Sequence, residues 1–477
     1  MSTPHPDVSS IKLIVIGAGP GGYAAAFLAA DMGMQVTLID REKNPGGVCL
    51  YRGCIPSKAL LHAAKVLTES EEAAHIGITY SKPTIDVDRL RAWKNSVVER
   101  LTNGTGQLRT QRKIKAVQGN ANFINSTTVR VTKADGSTED ISFDKAILAT
   151  GSRPAVIPTF PKTSKIMDST TALDLESIPE KLLVVGGGYI GLELGTVYNA
   201  LGSKVTVVEM MPQLLTGADR DLASILLRRI EAKFAKLMIS TKVLGVTETA
   251  NGLKVDFEDA DGNKFSDEFN KILVSIGRRP NTENLGLENT KVQLTDRGFI
   301  KVDAQLKTTD SNISAIGDIA GNPMLAHKAS AEGRIAVEAI AGLKVAFGPA
   351  AIPCVVFTDP EIAWCGITEI EAKEKGLDVQ IVKFPWAASG RAITLERTDG
   401  LTKMIIDTKT ERVLGIGIAG VGAGEMIAEG TLAIEMGAVA TDIKMTIHAH
   451  PTTSETVMET AESLFGTATH IYRPKKH

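Results

Sequence analysis

Two cysteines five positions apart, Cys49 and Cys54, lie in the run Gly46-Gly47-Val48-Cys49-Leu50-Tyr51-Arg52-Gly53-Cys54-Ile55-Pro56-Ser57-Lys58. Thiols so spaced can form a redox disulfide, half of a zinc site, or a pair of packed free thiols. On a regular helix, residues five apart are about 8 to 9 Å apart by Cα, beyond the ~7 Å at which a disulfide closes. On a strand they point to opposite faces. A bridge therefore needs a bend, which Gly53 supplies before Pro56 opens a helix. A strained, accessible disulfide is a reactive one. Zinc favours tighter pairs and a second such pair, whereas Cys354 and Cys365 stand isolated in apolar, strand-like surroundings and read as core thiols. The spacing favours redox chemistry over zinc or inert packing.

An electron source is legible just upstream. The strand-like run Leu13-Ile14-Val15-Ile16 leads into Gly17-Ala18-Gly19-Pro20-Gly21-Gly22, an alanine-rich helix, and a second strand ending at Asp40. Shifted by 169 positions the pattern recurs as Leu182-Leu183-Val184-Val185, Gly186-Gly187-Gly188-Tyr189-Ile190-Gly191, a helix, and a strand ending at Glu209. In both copies the acid falls 23 positions after the first glycine. Strand, turn, helix, strand and terminal carboxylate in register, twice, point to two dinucleotide sites. Gly17 and Gly186 turn tightly, Gly19 and Gly188 admit pyrophosphate, Gly22 and Gly191 let helix and strand pack, and Asp40 and Glu209 accept from ribose hydroxyls. After Glu209 come Met210-Met211-Pro212-Gln213, with no arginine for a 2′-phosphate, so the second site favours NAD. Hydride from NAD reaches a thiol pair only through a mediator. Flavin is the ordinary choice, which assigns FAD to the first site, beside the cysteines.

The elements that must position these groups follow. Helical patterns cover Ser57 to Leu67 and Val87 to Gln111, and short alternating runs from Ile114 to Ile147 read as a β-meander. Gly/Arg/Pro clusters at Thr150-Gly151-Ser152-Arg153-Pro154 and Gly277-Arg278-Arg279-Pro280 read as crossovers between domains. Strands are expected from Phe299 to Asp318, a helix from about His327, and a last unit of strands and helices from about Ile352. The 477 residues suit about three domains. A net charge of −2 gives no footprint for nucleic acid or an anionic membrane, and no apolar run is long enough to span a bilayer. Met1 to Ser10 show no secretory or transit signal, so a reducing compartment, the cytoplasm, is expected.

In these motifs, together with Ala315-Ile316-Gly317-Asp318, Met324-Leu325-Ala326-His327-Lys328, Phe384-Pro385-Trp386-Ala387-Ala388-Ser389-Gly390-Arg391 and His448-Ala449-His450-Pro451-Thr452, the chain resembles the dihydrolipoamide dehydrogenase family of pyridine nucleotide-disulfide oxidoreductases. The resemblance runs from Ile11 to about Phe465. It implies an α/β fold of two Rossmann-like dinucleotide-binding domains plus a C-terminal α+β dimerisation domain. The divisions are 1–155 and 277–350 for FAD, 156–276 for NAD and 351–477 for dimerisation.

It also implies roles. Cys54 faces the flavin, Cys49 exchanges with dihydrolipoyl thiols, and His450, oriented by Glu455, is the base. Lys58 and Glu193 form an ion pair near the flavin edge where hydride arrives. Thr150, Gly151, Asp318, Met324, Leu325, Ala326 and His327 join the FAD site, and Gly277 the NAD site. The chain would act as a homodimer with His450 and Glu455 supplied across the interface. Its partner would be a lipoyl-bearing acyltransferase (E2) or a glycine cleavage carrier protein, since no lipoyl-bearing extension precedes Ile11. His448 and His450 share a face if extended, but Glu455 is the one further ligand evident, and no metal is expected. Glutathione reductase would carry basic residues after the second fingerprint, and mercuric reductase a cysteine pair in the tail. A diaphorase would not need Cys54. Tyr51 and Arg52 depart from the family's usual Asn-Val, and Tyr189 sits where relatives place a ring over the nicotinamide pocket.

Overall fold

The runs Leu13–Ile16 and Leu182–Val185 carry no polar residue on either face, which suits strands covered by helices on both sides. In the computed structural model, which describes residues 7–472, each becomes the central strand of a five-stranded parallel sheet. The first sheet runs Ile313–Ala315, Lys145–Leu148, Lys12–Ile16, Gln35–Asp40, Lys115–Gln118. The second runs Ile166–Met167, Lys271–Val274, Lys181–Val185, Lys204–Val208, Lys236–Met238. The orders coincide strand for strand. Each copy also inserts a three-stranded antiparallel meander, Asn120–Asn125 to Thr138–Ser142 in the first and Lys242–Glu248 to Lys264–Phe269 in the second. The outer strand beside the inserted one comes from far downstream in the first copy and from upstream in the second.

The first and last runs expected in the meander belong instead to the parallel sheet. Ala146, Ile147 and Leu148 are all fully buried, as a strand covered on both faces requires, and so short an apolar run reads alike in either setting. Between Phe299 and Asp318 the chain forms turns, isolated bridges and one strand, Ile313–Ala315, rather than a series of strands.

The copies differ in the crossover after the second strand. The first has α1 (Pro20–Asp31) and then, beyond Asp40, α2 (Gly47–Arg52), α3 (Cys54–Glu72) and α4 (Val87–Gln111). The second has α5 (Tyr189–Ala200) and a single crossover helix, α6 (Arg220–Lys233). Both cysteines thus ride on helices that the second copy lacks. α3 begins at Cys54, earlier than expected. Pro56 is tolerated there because the first-turn N–H groups have no partner within the helix. The crossovers Ser152–Pro154 and Arg278–Pro280 pair as an antiparallel ribbon between the two bodies, and α7 (Ala326–Ile340) returns to pack on α1.

From Cys354 the chain forms a five-stranded antiparallel sheet with α8 (Glu369–Glu374), α9 (Gly390–Thr394), α10 (Ala423–Glu435), α11 (Ala440–Met445) and α12 (Glu455–Leu464). α10 and α12 cover one face. α6 of the second body covers the other, where Leu222 shares a core with Ile362 and Ala419. Cys365 lies in the first of these cores at 1 % exposure, whereas Cys354 is half-buried.

The seam with α6 holds Lys403, 1 % exposed, whose Nζ lies 2.8 Å from Asp219, 3.0 Å from Asp221 and in contact with Glu369. Lys383 pairs with the last two as well. These three acids are a metal-like cluster by spacing, yet the ammonium of Lys403 stands against all of them. Replacing it by methionine removes the buried cation the three carboxylates share, with Lys383 still beside two of them, and Lys403→Met is expected to lose about 3 kcal/mol. Urea or thermal denaturation measures this, and an unchanged midpoint would show that the network carries no stability.

Candidate active site

The two glycine turns are alike in detail. Gly17 and Gly186 take φ of +97° and +106°, and a Cβ on either would fall 2.3 or 2.6 Å from a carbonyl oxygen of the neighbouring strand end, that of Ala149 or Ser275. A Cβ on Gly22 or Gly191 would strike the oxygen of Gly17 or Gly186. The middle glycine is different. A Cβ on Gly188 meets nothing within 4 Å, and one on Gly19 only the Cα of Gly47, at 3.9 Å. This space lies at the N-termini of α5 and α1, neither of which has a side-chain cap. Free N–H groups, the positive end of the helix dipole and room beside the backbone fit a pyrophosphate.

The terminal acids are held identically. Asp40 accepts from the N–H groups of Ala18 (2.6 Å) and Glu42 (2.8 Å), and Glu209 from those of Gly187 (2.7 Å) and Met211 (2.8 Å). Each carboxylate keeps lone pairs for ribose hydroxyls. A cavity of about 230 Å³ beside Asp40, lined by Ala18, Leu38, Asn44 and Val117, suits an adenosine end. The residues that follow Glu209 in the chain, Met210 and Met211, are exposed and uncharged, and so offer no cation of their own to a 2′-phosphate.

The thiol segment is seated on the first turn. Gly47, at φ +56°, packs so close to Gly19 that a Cβ would lie 2.4 Å from its Cα, and the Gly46 N–H donates to Ala18 O at 2.8 Å. α2 and α3 meet at Gly53, where an added Cβ would lie 2.9 Å from Val48 O. The junction brings half-buried Cys49 and exposed Cys54, both free thiols, into hydrogen-bond contact. The bond that Cys49 donates pulls Cys54 down to about 7 against the opposing effect of burial, and Lys58 adds to it. The same bond, with burial, drives Cys49 up. Cys54 also opens a long helix, a setting that favours thiolate. Among the described residues the cysteines gather no further ligands at metal spacing.

One turn on, Lys58 Nζ lies 2.7 Å from Glu193 of α5, whose side chain is 4 % exposed. Ser57 Oγ donates to the same carboxylate at 3.2 Å and the Phe357 N–H at 3.0 Å, while the Lys58 ammonium stands 4.5 Å from the Phe357 ring centre. Asp318 accepts from Ser152 Oγ, and Arg278 donates to both Ser152 Oγ and Ser152 O at 2.7 Å. The loop bearing Asp318 is clamped by a buried pair on α7. Lys328 and Glu332 lie 2.6 Å apart, Glu332 accepts from the Gly317 N–H at 2.6 Å, and Lys328 donates to Gly321 O at 3.2 Å. The sequence reading missed Ser152, Arg278 and this clamp. Only Lys328 and Glu332, four apart on a helix, carried a local signal. His327 lies in the first turn of α7, which begins at Ala326, and donates to Pro353 O at 2.8 Å.

His450 pairs through Nδ1 with Glu455 at 2.9 Å, and the Thr452 N–H holds the other carboxylate oxygen at 2.8 Å. Against burial, these donors hold Glu455 below the usual carboxylate range. The His450 side chain is 73 % exposed. Within one chain, and among the described residues, no hydrogen bond or ion pair joins His450 or Glu455 to either cysteine. Tyr51 and Arg52 turn back to the protein, the Tyr51 hydroxyl to Asn44 O at 3.1 Å and the Arg52 guanidinium to Glu42. Tyr189, first residue of α5, is 39 % exposed.

The family description "Pyridine nucleotide-disulphide oxidoreductase" matches residues 11–333, and its "dimerisation domain" matches residues 352–461. The chain belongs to this family. It is 48 % identical to a dihydrolipoyl dehydrogenase of Haemophilus influenzae over 97 % of both chains, and 46 % identical to that of Geobacillus stearothermophilus over 96 % of this chain and 97 % of the relative. Among solved structures it is similar to LpdA of Mycobacterium tuberculosis (TM-score 0.88, 28 % identity, 95 % of this chain and 99 % of that one). It is also similar to the HOCl-induced flavoprotein disulfide reductase RclA of Escherichia coli (TM-score 0.84, 29 % identity, 94 % and 99 %).

The thiol geometry predicts a pH profile. With the disulfide reduced, iodoacetamide alkylation of the pair is expected to rise with a midpoint near pH 7, because the first proton leaves a hydrogen-bonded pair beside a cation. Lys58→Met should move that midpoint up. A midpoint at the ordinary thiol value of about 8.5 in both proteins would remove Cys54 as the preformed thiolate.

Proposed function

We propose that this chain is a dihydrolipoyl dehydrogenase. It oxidises protein-bound dihydrolipoyl groups to the lipoyl disulfide and reduces NAD to NADH. Two electrons and one proton leave the dithiol as hydride to NAD, and the second proton passes to solvent. The observation that carries this reading is the seating of a thiol pair, one member already biased to thiolate, on the first of two matched nucleotide turns, with Lys58 and Glu193 bridging the bodies that hold them. The curated relatives of that name, matched end to end, support it.

FAD, when bound, relays the electron pair between thiolate and nicotinamide. For it we assign Gly17, Gly19, Gly22, Asp40, Thr150, Gly151, Asp318 and the run Met324 to His327, within 1–155 and 277–350. For NAD we assign Gly186, Gly188, Gly191, Glu209 and Gly277, within 156–276. The carboxylate Glu209 and the uncharged run Met210 to Gln213 after it favour NAD over NADP. Cys49 would meet the incoming thiol, and Cys54 would hold the negative charge next to a bound flavin. Residues 351–477 pair two copies. The match to a dimerisation domain supports a homodimer, and the exposure of His450 supports its action on the thiols of the other copy. The dihydrolipoyl group arrives on an E2 acyltransferase or a glycine cleavage carrier protein, in the cytoplasm. Among the described residues no helix is long and apolar enough to cross a membrane.

Purified enzyme is expected to oxidise free dihydrolipoamide with NAD, with NADP and glutathione at least about a hundredfold poorer in kcat/KM. A preference for NADP or glutathione would refute the assignment. Mixing Cys49→Ser with His450→Gln subunits tests the shared site: heterodimers should regain one working centre, and an inactive mixture would place the whole site within one chain.

A further inference from the structure

Two histidines flank Ala449 and are built in opposite ways. His450 has Nδ1 bound to Glu455 and, among the described residues, Nε2 without a partner, on a side chain 73 % exposed. His448 is 5 % exposed and engaged at both ring nitrogens, Nδ1 with Thr446 O at 2.9 Å and Nε2 with Glu429 Oε1 of α10 at 2.8 Å. A backbone carbonyl only accepts. A carboxylate, as Glu429 presents here, also only accepts. Two acceptors at 2.8 and 2.9 Å require two N–H donors, and a neutral imidazole has one.

We propose that His448 is held as an imidazolium that pins the segment 446–452 to α10 and so positions His450, leaving proton transfer to His450 alone. The proposal rests on the reading of His450 as the base. It makes His448 a positioning residue, acting through the backbone between Thr446 and Thr452. The charged groups facing it are Glu429 from α10 and Glu455 from α12, both acidic, while Lys444 of α11 directs its ammonium onto the Phe465 ring. The Glu429 hydrogen bond holds the His448 pKa above its ordinary value against the downward push of burial, and the Thr446 carbonyl adds to it. A group raised in this way contributes stability that is complete below its unfolded value of about 6.5 and is lost as pH rises through the folded value.

Thermal midpoints of the holoenzyme, of His448→Gln and of Glu429→Gln, measured from about pH 5.5 to about pH 9, test the charge across this window. The gap between wild type and His448→Gln should be widest at the acid end and close as pH rises. Glu429→Gln should show a smaller gap of the same sign, and it carries the test alone if His448→Gln does not fold. A gap that widens with pH means a neutral imidazole and overturns the proposal.

For the positioning role, His448→Gln should lower kcat/KM for dihydrolipoamide by roughly tenfold to a hundredfold. NADH oxidation by ferricyanide, which needs no base at the thiols, should stay within about twofold. Equal loss in both assays overturns the positioning role. His450→Gln serves as control. If it keeps dihydrolipoamide oxidation, the reading of the base fails, while the thermal comparison still reports the charge on His448.

Discussion

Glu193 is a carboxylate almost wholly removed from water, and burying such a charge costs several kcal/mol unless its lone pairs are met. The donors that meet it, the Ser57 hydroxyl, the Lys58 ammonium and the Phe357 N–H, come from α3 of the first body and from the start of the third, while Glu193 itself belongs to α5 of the second. A charge that can be satisfied only when three bodies dock in one arrangement fixes that arrangement. Moving any one of them leaves an uncompensated buried ion, which costs more than the lost contact alone. The same ammonium lies close enough to Cys54 to add to the pull of the Cys49 hydrogen bond toward thiolate, so one cation serves both the docking and the sulfur. The Lys403 network plays the corresponding part at the seam between α6 and the third sheet.

The duplicated body explains why only one nucleotide turn carries a thiol pair. Both copies carry the same sheet order, the same open middle glycine and the same doubly held acid. What differs is the stretch after the second strand, a single helix in the second copy and α2, α3 and α4 in the first. The added helices are seated on the turn where Gly47 meets Gly19, because a Cβ on Gly47 would lie 2.4 Å from the Gly19 Cα and hold the backbones apart. The thiols are therefore near the first turn through backbone contact and far from its twin.

What was legible in the sequence was what the backbone itself demands. Gly17 with Gly186, and Asp40 with Glu209, are fixed in type and spacing because a turn with no room for Cβ and an acid at the end of the next strand allow little else. The Cys49–Gly53–Cys54 bend and the exact extent of α4 were readable for similar reasons. Groups joined by long-range docking were not. Ser152, Arg278 and Asp318 are brought together from three distant parts of the chain, and Lys403 meets Asp219 only after sheet and α6 have packed. The apolar run Lys145–Leu148 was assigned to the meander because burial on one face or two cannot be told from four residues. The role of His450 came from family resemblance. Spacing alone made no distinction between it and His448, which differ in burial and partners rather than in type.

That difference bears on how the site is completed. A base whose free nitrogen faces solvent in the single chain, while the thiolate it must serve lies elsewhere, needs a surface to bring the two together. Such a surface is present around it. Met445 and Ile447, just before His450, are 71 % and 95 % exposed, and Leu432 and Met436 of α10 are 60 % and 76 % exposed. Large apolar side chains gathered in this way on a unit matched to a dimerisation domain mark a face that gains stability when covered, at about 25 cal/mol per Å² of apolar surface removed from water. Covering it orders the segment 446–452 from outside, as the His448–Glu429 pair orders it from within. The fold of each chain thus sets the thiol pair on one face and His450 on another, and the unit that carries His450 is the one matched to a dimerisation domain.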